Sequence, residues 1–363
     1  MAADPIVIGA VLPFSGGVEL YGRQAKLGLE VATREINADG GILGRPLRVI
    51  YEDDKTDPAI AIKATRKLII RDHVLAVVGP ITSRNLDAIE PTIEHLKTPL
   101  LYATNYEGGA CSRYIFAFSS VPNQELAQLL PYMNQTFGNS YFMLGANHAW
   151  PQKMFTVAQP IIQNLGGRVL GKEFTTGSET NFSPMIGRIA ATKAKVLLFA
   201  LKGDGLNFIP QAYESGLPKD TTIAFLGMSE TDLPALGGRG QNMFDVVPFV
   251  ASSNLPSAKA FVAKVKAQAG ADAVVSNYVV THYNALIAMK AALEKAGKVD
   301  KEAMINALEG LEINSPTGAV TIGKNHHVTM NMFLVKTQGP GPELVTIRGL
   351  GEIAPEPGCK SNE

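Results

Sequence analysis

Val77-Val78-Gly79-Pro80-Ile81-Thr82-Ser83, then a helical pattern, then Pro99-Leu100-Leu101-Tyr102-Ala103-Thr104-Asn105-Tyr106-Glu107, is the stretch on which the reading of the chain turns. An apolar strand runs into a Gly-Pro turn, and the Ser at the end of that turn can cap the helix that follows. A second apolar strand then opens into a polar loop carrying Thr104, Asn105 and Tyr106. Strand, helix and strand in this succession form a parallel β-α-β unit. In open parallel sheets, ligands bind beyond the carboxyl ends of the strands. Ser83 and Thr104 therefore fall on one sheet edge beside loop N–H groups, where a carboxylate or amide would fit.

The same alternation extends in both directions. Residues 6–12 read as a buried parallel strand, and Pro13-Phe14-Ser15-Gly16-Gly17 as a loop. Residues 21–37 read as a helix with Ala25, Leu29, Ala32 and Ile36 on one face, stopped by Asp39-Gly40-Gly41. A strand at 47–51 follows, and Asp57-Pro58 supplies a cap and a first-turn proline for the next helix. After Pro122-Asn123-Gln124 the pattern restarts, with helices at 125–137, 152–165, 181–192 and 206–215 between strands at 141–145, 168–173, 196–200 and 223–226. The expected fold is thus α/β, with two doubly wound parallel-sheet lobes. Helical stretches at 257–269, 277–296 and 301–308 come next, and Ser315-Pro316-Thr317-Gly318 leads into a hairpin with strands near 319–322 and 330–336. The Gly- and Pro-rich tail after Gln338 reads as irregular, held by packing or by Cys359.

A length of 363 residues suits two domains, and 46% apolar residues suffice for sizeable cores. Lys plus Arg and Asp plus Glu balance at 33 each, which gives no reason to expect nucleic acid or an anionic membrane as partner. No apolar run approaches the roughly 18 residues of a membrane span. Met1-Ala2-Ala3-Asp4-Pro5 runs straight into strand-like sequence without a leader pattern. The protein is then either cytoplasmic or exported with its signal peptide removed. Cys111 and Cys359 match no zinc spacing. Export would permit a disulfide between them, and the alternative is two unrelated thiols.

Catalytic signatures are missing: no dinucleotide or phosphate-binding glycine loop, no nucleophile elbow, no His-Glu-x-x-His. His326-His327 lacks a third metal ligand nearby and reads as a solvated turn, and Glu52-Asp53-Asp54 reads as a polar loop. Glu107 with Glu230 is a conceivable acid/base pair that nothing in the spacing requires. No metal or cofactor is expected. A cleft between two α/β lobes still binds small molecules, and the strand-end groups able to face one are Tyr21, Ser83, Tyr102, Thr104, His148, Trp150 and Ser229. Each has a plainer reading: Ser83 as a helix cap, Tyr102 as a core aromatic, Trp150 as a structural Trp beside Pro151.

A family resemblance emerges from these residues. Gly9-Ala10-Val11-Leu12-Pro13-Phe14-Ser15-Gly16, Tyr21-Gly22, Ile36-Asn37-Ala38-Asp39-Gly40-Gly41-Ile42-Leu43-Gly44-Arg45-Pro46, and Asp53-Asp54 with Asp57-Pro58 stand in order along the chain. With them the whole chain resembles the type I periplasmic substrate-binding proteins of ABC transporters, in the branched-chain amino acid and amide group. Tyr106-Glu107-Gly108-Gly109-Ala110-Cys111-Ser112, Pro122-Asn123-Gln124 and the Ser315-Pro316-Thr317-Gly318 hairpin before Asn325-His326-His327 are similar to the urea- and short-chain-amide-binding branch. Branched-chain amino acid binders carry an Asp near Val121 for the α-ammonium group, and this chain does not.

The resemblance implies a two-lobed clamp of the type I periplasmic binding protein fold, with three crossing segments near residues 120–124, 251–254 and 325–330. Lobe 1 would take residues 1–121 plus 254–327, lobe 2 residues 122–253 plus 328–363, with the ligand cleft between them. Ser83, Tyr102 and Thr104 match positions that grip the ligand's polar head, and Tyr21 matches a pocket wall. His148 and Trp150 fall where the amide branch has Tyr, Ile81 where it can place an aromatic, and Ser229 or Glu230 matches the far-lobe contact. The implied protein is a periplasmic, monomeric, non-enzymatic binding protein that captures a small polar organic ligand (amide, urea or amino-acid-like) by hinge closure and delivers it to an inner-membrane ABC permease. The alternatives are a cytoplasmic amide sensor of the same fold, regulating a partner protein, and an enzyme using Glu107 or Glu230 as base.

Overall fold

The computed structural model describes residues 4–177, 179–339 and 343–359. The chain divides into two compact units. The first takes the chain up to Val121, then Leu255–Asn331, and the segment from Glu352 on. The second takes Pro122–Asn254 and Met332–Gly351.

The first unit opens with β1 (Ile6–Leu12), α1 (Glu19–Ala38), β2 (Leu47–Asp53), α2 (Pro58–Arg66), β3 (Val77–Val78), α3 (Ser83–His95), β4 (Leu100–Tyr102) and β5 (Ile115–Ala117). The strands form one parallel sheet in the order β2-β1-β3-β4-β5. Helices cover such a sheet on both faces, which is why β1, β3 and β4 are almost continuously apolar and buried. Asp57 caps α2 by accepting the Ile60 N–H at 3.0 Å, with Pro58 at the first helical position.

The second unit repeats the scheme with α4 (Pro122–Phe137), β6 (Ser140–Ala146), α5 (Ala149–Asn164), β7 (Arg168–Thr175), α6 (Ser183–Thr192), β8 (Val196–Ala200), α7 (Phe208–Glu214), β9 (Thr222–Phe225) and β10 (Phe244–Val247). These strands are parallel in the order β7-β6-β8-β9-β10, the spatial order of the first sheet. Its core is aromatic, with Phe199 packed against Phe208 and Phe225 at ring separations of 5.3 and 5.0 Å.

The chain then returns to the first unit as α8 (Pro256–Ala269), α9 (Asn277–Ala296) and α10 (Lys301–Leu308), followed by the antiparallel strands β11 (Glu312–Ser315) and β12 (Gly318–Ile322). Helix α9 is buried along most of its length and packs on α1 at a point where only glycine fits. A Cβ on Gly28 would stand 2.2 Å from the Val279 carbonyl oxygen. The long strand β13 (Val328–Gln338) pairs with β12 through its first residues and with β10 through Phe333 to Lys336.

Three sequence-based expectations need correction. The tail is not irregular: β14 (Glu343–Ile353) pairs with β13. Its largely exposed side chains give it no apolar face, so its sequence carries no burial signal. Beyond Gly351 the chain makes a further passage, back to the first unit rather than staying with the second. A Cys111–Cys359 disulfide and the Gly109 N–H, which donates to the Pro357 carbonyl at 2.8 Å, hold it there. Finally, His326 and His327 are not a solvated turn but are 7% and 1% exposed. The His326 ring stacks on Phe116 at 3.9 Å, and the Tyr106 hydroxyl meets His327 Nε2 at 2.6 Å. Burial pushes the His327 imidazole down to about 4. Flat amphipathic rings can carry a turn into the core when each nitrogen finds a partner.

Candidate functional site

In a sheet of this order the topological switch point lies between the first and third strands, and loops at the carboxyl ends build the ligand site. In the first unit these loops follow β1, β3 and β4. The loop after β1 is fastened by Asp53, which accepts from the Phe14 N–H and the Ser15 hydroxyl, each at 2.8 Å. Burial works to raise the Asp53 carboxyl, but the N–H groups of Phe14 and Lys55 with the Ser15 hydroxyl outweigh it and hold the acid below its usual range.

The loop after β3 turns at the cis Gly79–Pro80 bond. Gly79 has φ +105°, and a Cβ there would lie 2.2 Å from the Val11 carbonyl oxygen. This close approach brings the β3 loop against the end of β1. Thr82, not Ser83, caps α3. Its backbone is extended, and its hydroxyl accepts from the Asn85 N–H at 3.3 Å. A cap must precede the first helical residue, and Ser83 is already helical. The Ser83 hydroxyl is thereby available for another partner, and it donates to Glu107 Oε2 at 2.7 Å.

After β4, Tyr102 has no exposed surface and its hydroxyl donates to the Ile81 carbonyl at 3.3 Å. Its ring meets Tyr106 edge-on at 5.3 Å. Tyr102 thus lies in the core and fixes the β3 loop from beneath. Burial pushes its phenol well above the usual value. Thr104 is 5% exposed, and its Oγ1 is buried with no hydrogen-bond partner among the described residues. The Thr281 hydroxyl pins the same loop by donating to the Ala103 carbonyl at 2.6 Å. Ile81 and Tyr21 are also buried, and the Tyr21 ring packs 5.1 Å from Tyr278.

The second unit places its own set at the equivalent strand ends. His148 stands exposed at the cap position of α5, and Trp150 lies in the first turn of that helix. The Trp150 Nε1 is buried without a partner among the described residues. Beyond β8 and β9 lies a cluster that the sequence had shown only in part. Lys202 donates to the Gly227 carbonyl at 2.6 Å and to Asp232 Oδ2 at 2.8 Å. Asp232 also accepts from the Ser229 N–H and hydroxyl, at 2.9 and 3.2 Å. Glu230 Oε1 accepts from the Ala251 N–H at 2.6 Å, while Oε2 is buried and unpartnered among the described residues. Burial pushes the Glu230 acid up to about 7, opposed by the Ala251 N–H and aided by the Asp232 charge. Lys202 and Asp232 escaped the sequence reading because their pairing joins loops about 30 residues apart. The available signal was a lysine directly beyond an apolar strand.

The strand ends therefore collect Ser83, Thr104, Ile81 and Tyr21 in the first unit, and His148, Trp150, Ser229 and Glu230 in the second. No group of three or more His, Cys, Asp or Glu side chains among the described residues is arranged to hold a metal ion. Glu107 and Glu230 belong to different units.

Residues 5–341 match the family described as periplasmic binding protein. The Leu/Ile/Val-binding protein BraC3 of Rhizobium johnstonii is 26% identical over 343 residues, covering 92% of this chain and 91% of that protein. A solute-binding protein of an R. palustris ABC transporter, solved with benzoate, superposes with a TM-score of 0.88 at 20% identity, over 98% of this chain and 99% of that one. Another from Rhodopseudomonas palustris, solved with p-hydroxybenzoic acid, gives a TM-score of 0.87 at 24% identity, over 96% and 97%. These relatives are binding proteins, two of them of transporters, and not enzymes, which removes Glu107 and Glu230 from consideration as catalytic bases. With its two parallel α/β units and the match along nearly its whole length, the chain belongs to the periplasmic binding protein family.

Proposed function

We propose that this chain is the extracytoplasmic solute-binding component of an ABC importer, one that captures a small polar solute and delivers it to an inner-membrane permease. The observation that carries the reading is the state of two polar atoms at strand ends: Thr104 Oγ1 in the first unit and Glu230 Oε2 in the second, both buried and unpartnered among the described residues. Leaving such an atom unsatisfied costs about 1–3 kcal/mol. Found where parallel sheets bind ligands, this cost is offset when a solute supplies the missing hydrogen bond. Hinge closure, with the closed state favoured by solute contacts, is the mechanism that goes with this reading.

In this reading Ser83 and Thr104 hold the polar head, with Tyr21 and Ile81 as pocket wall in the first unit, and His148, Trp150, Ser229 and Glu230 are the second unit's own candidate contacts. Tyr102 supports the site from the core. The Cys111–Cys359 disulfide favours an oxidising compartment, hence the periplasm over the cytoplasm of the sensor alternative. The solute is a short amide, a urea or an amino-acid-like compound, and the protein works as a monomer. The Leu/Ile/Val and aromatic-acid binders among its relatives define the competing ligand classes.

Thermal-shift measurements against amides, ureas, branched-chain amino acids and small aromatic acids test the reading. A true ligand at 100 times its Kd adds about 2.7 kcal/mol of stability. Thr104→Ala is expected to cost about 1–3 kcal/mol of binding in calorimetry, because a solute group desolvated at Oγ1 is left unpaired. Unchanged affinity would remove Thr104 from the site.

A further inference from the structure

We infer that Glu107 is a specificity-determining residue: by holding the Ser83 proton and placing a carboxylate beside the head-group position, it selects solutes with a neutral, hydrogen-bond-donating head and rejects carboxylates. The inference rests on the solute site proposed above. Its starting point is the 2.7 Å bond from Ser83 Oγ to Glu107 Oε2.

A serine hydroxyl has one proton to donate and lone pairs to accept with. The Tyr102 phenol is close enough to Ser83 to sense its hydroxyl, and is itself the donor to the Ile81 carbonyl. Between a phenol oxygen and a carboxylate, the charged acceptor makes the shorter and roughly twofold stronger bond. The Ser83 proton is therefore committed to Glu107. Toward a solute, Ser83 Oγ offers lone pairs only.

Thr104 has the opposite character. Its Oγ1 has no partner among the described residues, so its proton is available to a solute acceptor. β3 and β4 are neighbours in register, Val78 opposite Leu101, and the Ser83–Glu107 bond ties the loop beyond β4 to the first turn of α3. The sheet edge thus carries one acceptor, Ser83, and one donor, Thr104. That is the complement of an amide or urea, whose N–H donates and whose carbonyl accepts. A carboxylate has two acceptor oxygens and no donor. It would set an oxygen against the Ser83 lone pairs, where Ser83 and Thr104 are only 4% and 5% exposed and water screens poorly.

The first helical turn of α3 leads to the same conclusion. Its leading N–H groups and dipole favour an anion, and Glu107 brings that anion from within the chain, bonded to the first helical residue. A solute has no need to supply a second one.

The test uses matched pairs that differ only in the head: acetamide and acetate, isobutyramide and isobutyrate, benzamide and benzoate. Affinities are measured by calorimetry on the intact, oxidised protein and on Glu107→Gln, Ser83→Ala and Thr104→Ala. The wild-type protein is expected to prefer the amide of at least one pair by tenfold or more. Glu107→Gln, which can return the Ser83 proton to the solute and removes the charge, should shrink that ratio at least tenfold, chiefly by admitting the carboxylate. Ser83→Ala keeps the charge, and should lose amide affinity without gaining carboxylate affinity. Equal binding of amide and carboxylate by the wild type overturns the inference, and so does an unchanged ratio in Glu107→Gln. A strong effect of Thr104→Ala combined with an unchanged ratio sinks the role of Glu107 alone. Indifference of binding to Thr104→Ala, or no binding of either member of any pair, overturns the solute site and the inference with it.

Discussion

Removing the Cys111–Cys359 bridge, by reduction or by Cys111→Ser with Cys359→Ser, is expected to lower the unfolding free energy of the first unit by about 2–5 kcal/mol. The bridge spans 248 residues of sequence. In the chain-entropy account, a cross-link closing so long a loop lies at the upper end of the range, because the reduced unfolded chain regains the most freedom. Two features localise the effect. The bridge fastens the segment beyond Glu352, which otherwise follows a largely exposed strand. It also anchors the loop from Tyr106 to Cys111, in which the Ala110 N–H donates to the Tyr106 hydroxyl at 3.2 Å and Glu107 reaches Ser83. Urea unfolding with and without reductant, followed by a probe in each unit, should show the first unit's transition moving to lower denaturant and the second unit's staying in place. Coincident, unshifted transitions would show that the tail is held by packing alone.

The second large effect is electrostatic. Glu230 has its acid raised from the ordinary 4.5 to about 7 by burial. The folded chain then binds this proton more tightly than the unfolded chain does, so its contribution favours folding at low pH. It is lost as pH rises from about 4.5 through about 7. At about 1.36 kcal/mol for each pH unit of displacement, the unliganded protein should lose up to about 3 kcal/mol across that window from this group. Glu230→Gln cannot ionise, and its amide carbonyl can still accept from the Ala251 N–H. Its stability advantage over the parent should therefore be near zero below pH 4.5 and grow to about 3 kcal/mol by pH 8. Parallel stability–pH curves for the two proteins would falsify this account. A solute that donates a hydrogen bond to Glu230 Oε2 should recover part of the loss in the parent and none in the variant.

The architecture was legible in the sequence because it depends on local rules. Apolar runs such as Ile6-Val7-Ile8 and Val196-Leu197-Leu198, short, bounded by turn residues and alternating with helical patterns, read as strands covered on both faces. Asp57-Pro58 starts a helix through contacts within its own first turn. The Gly79-Pro80 turn and the residues at the strand ends follow from the β-α-β succession. What the sequence could not decide were pairings that need the folded chain. Thr82 and Ser83 are equally good caps as residue types, and the backbone conformation alone assigned the cap to Thr82 and released Ser83 for Glu107. His326-His327 is polar by composition and was read as solvated, yet Phe116, Tyr106 and Glu309 give its rings and nitrogens partners in the core. The ion pair of Lys202 with Asp232, and the return of Cys359 to Cys111, likewise join segments far apart in sequence. The sequence by itself determined most of the β-α-β elements, though not β5, β10 or β14, and at which strand ends a ligand site can lie, since periodicity and turn chemistry act over a few residues. Only the tertiary structure decided which polar atoms there are satisfied and which still await a partner, because that depends on long-range contacts that no local pattern records.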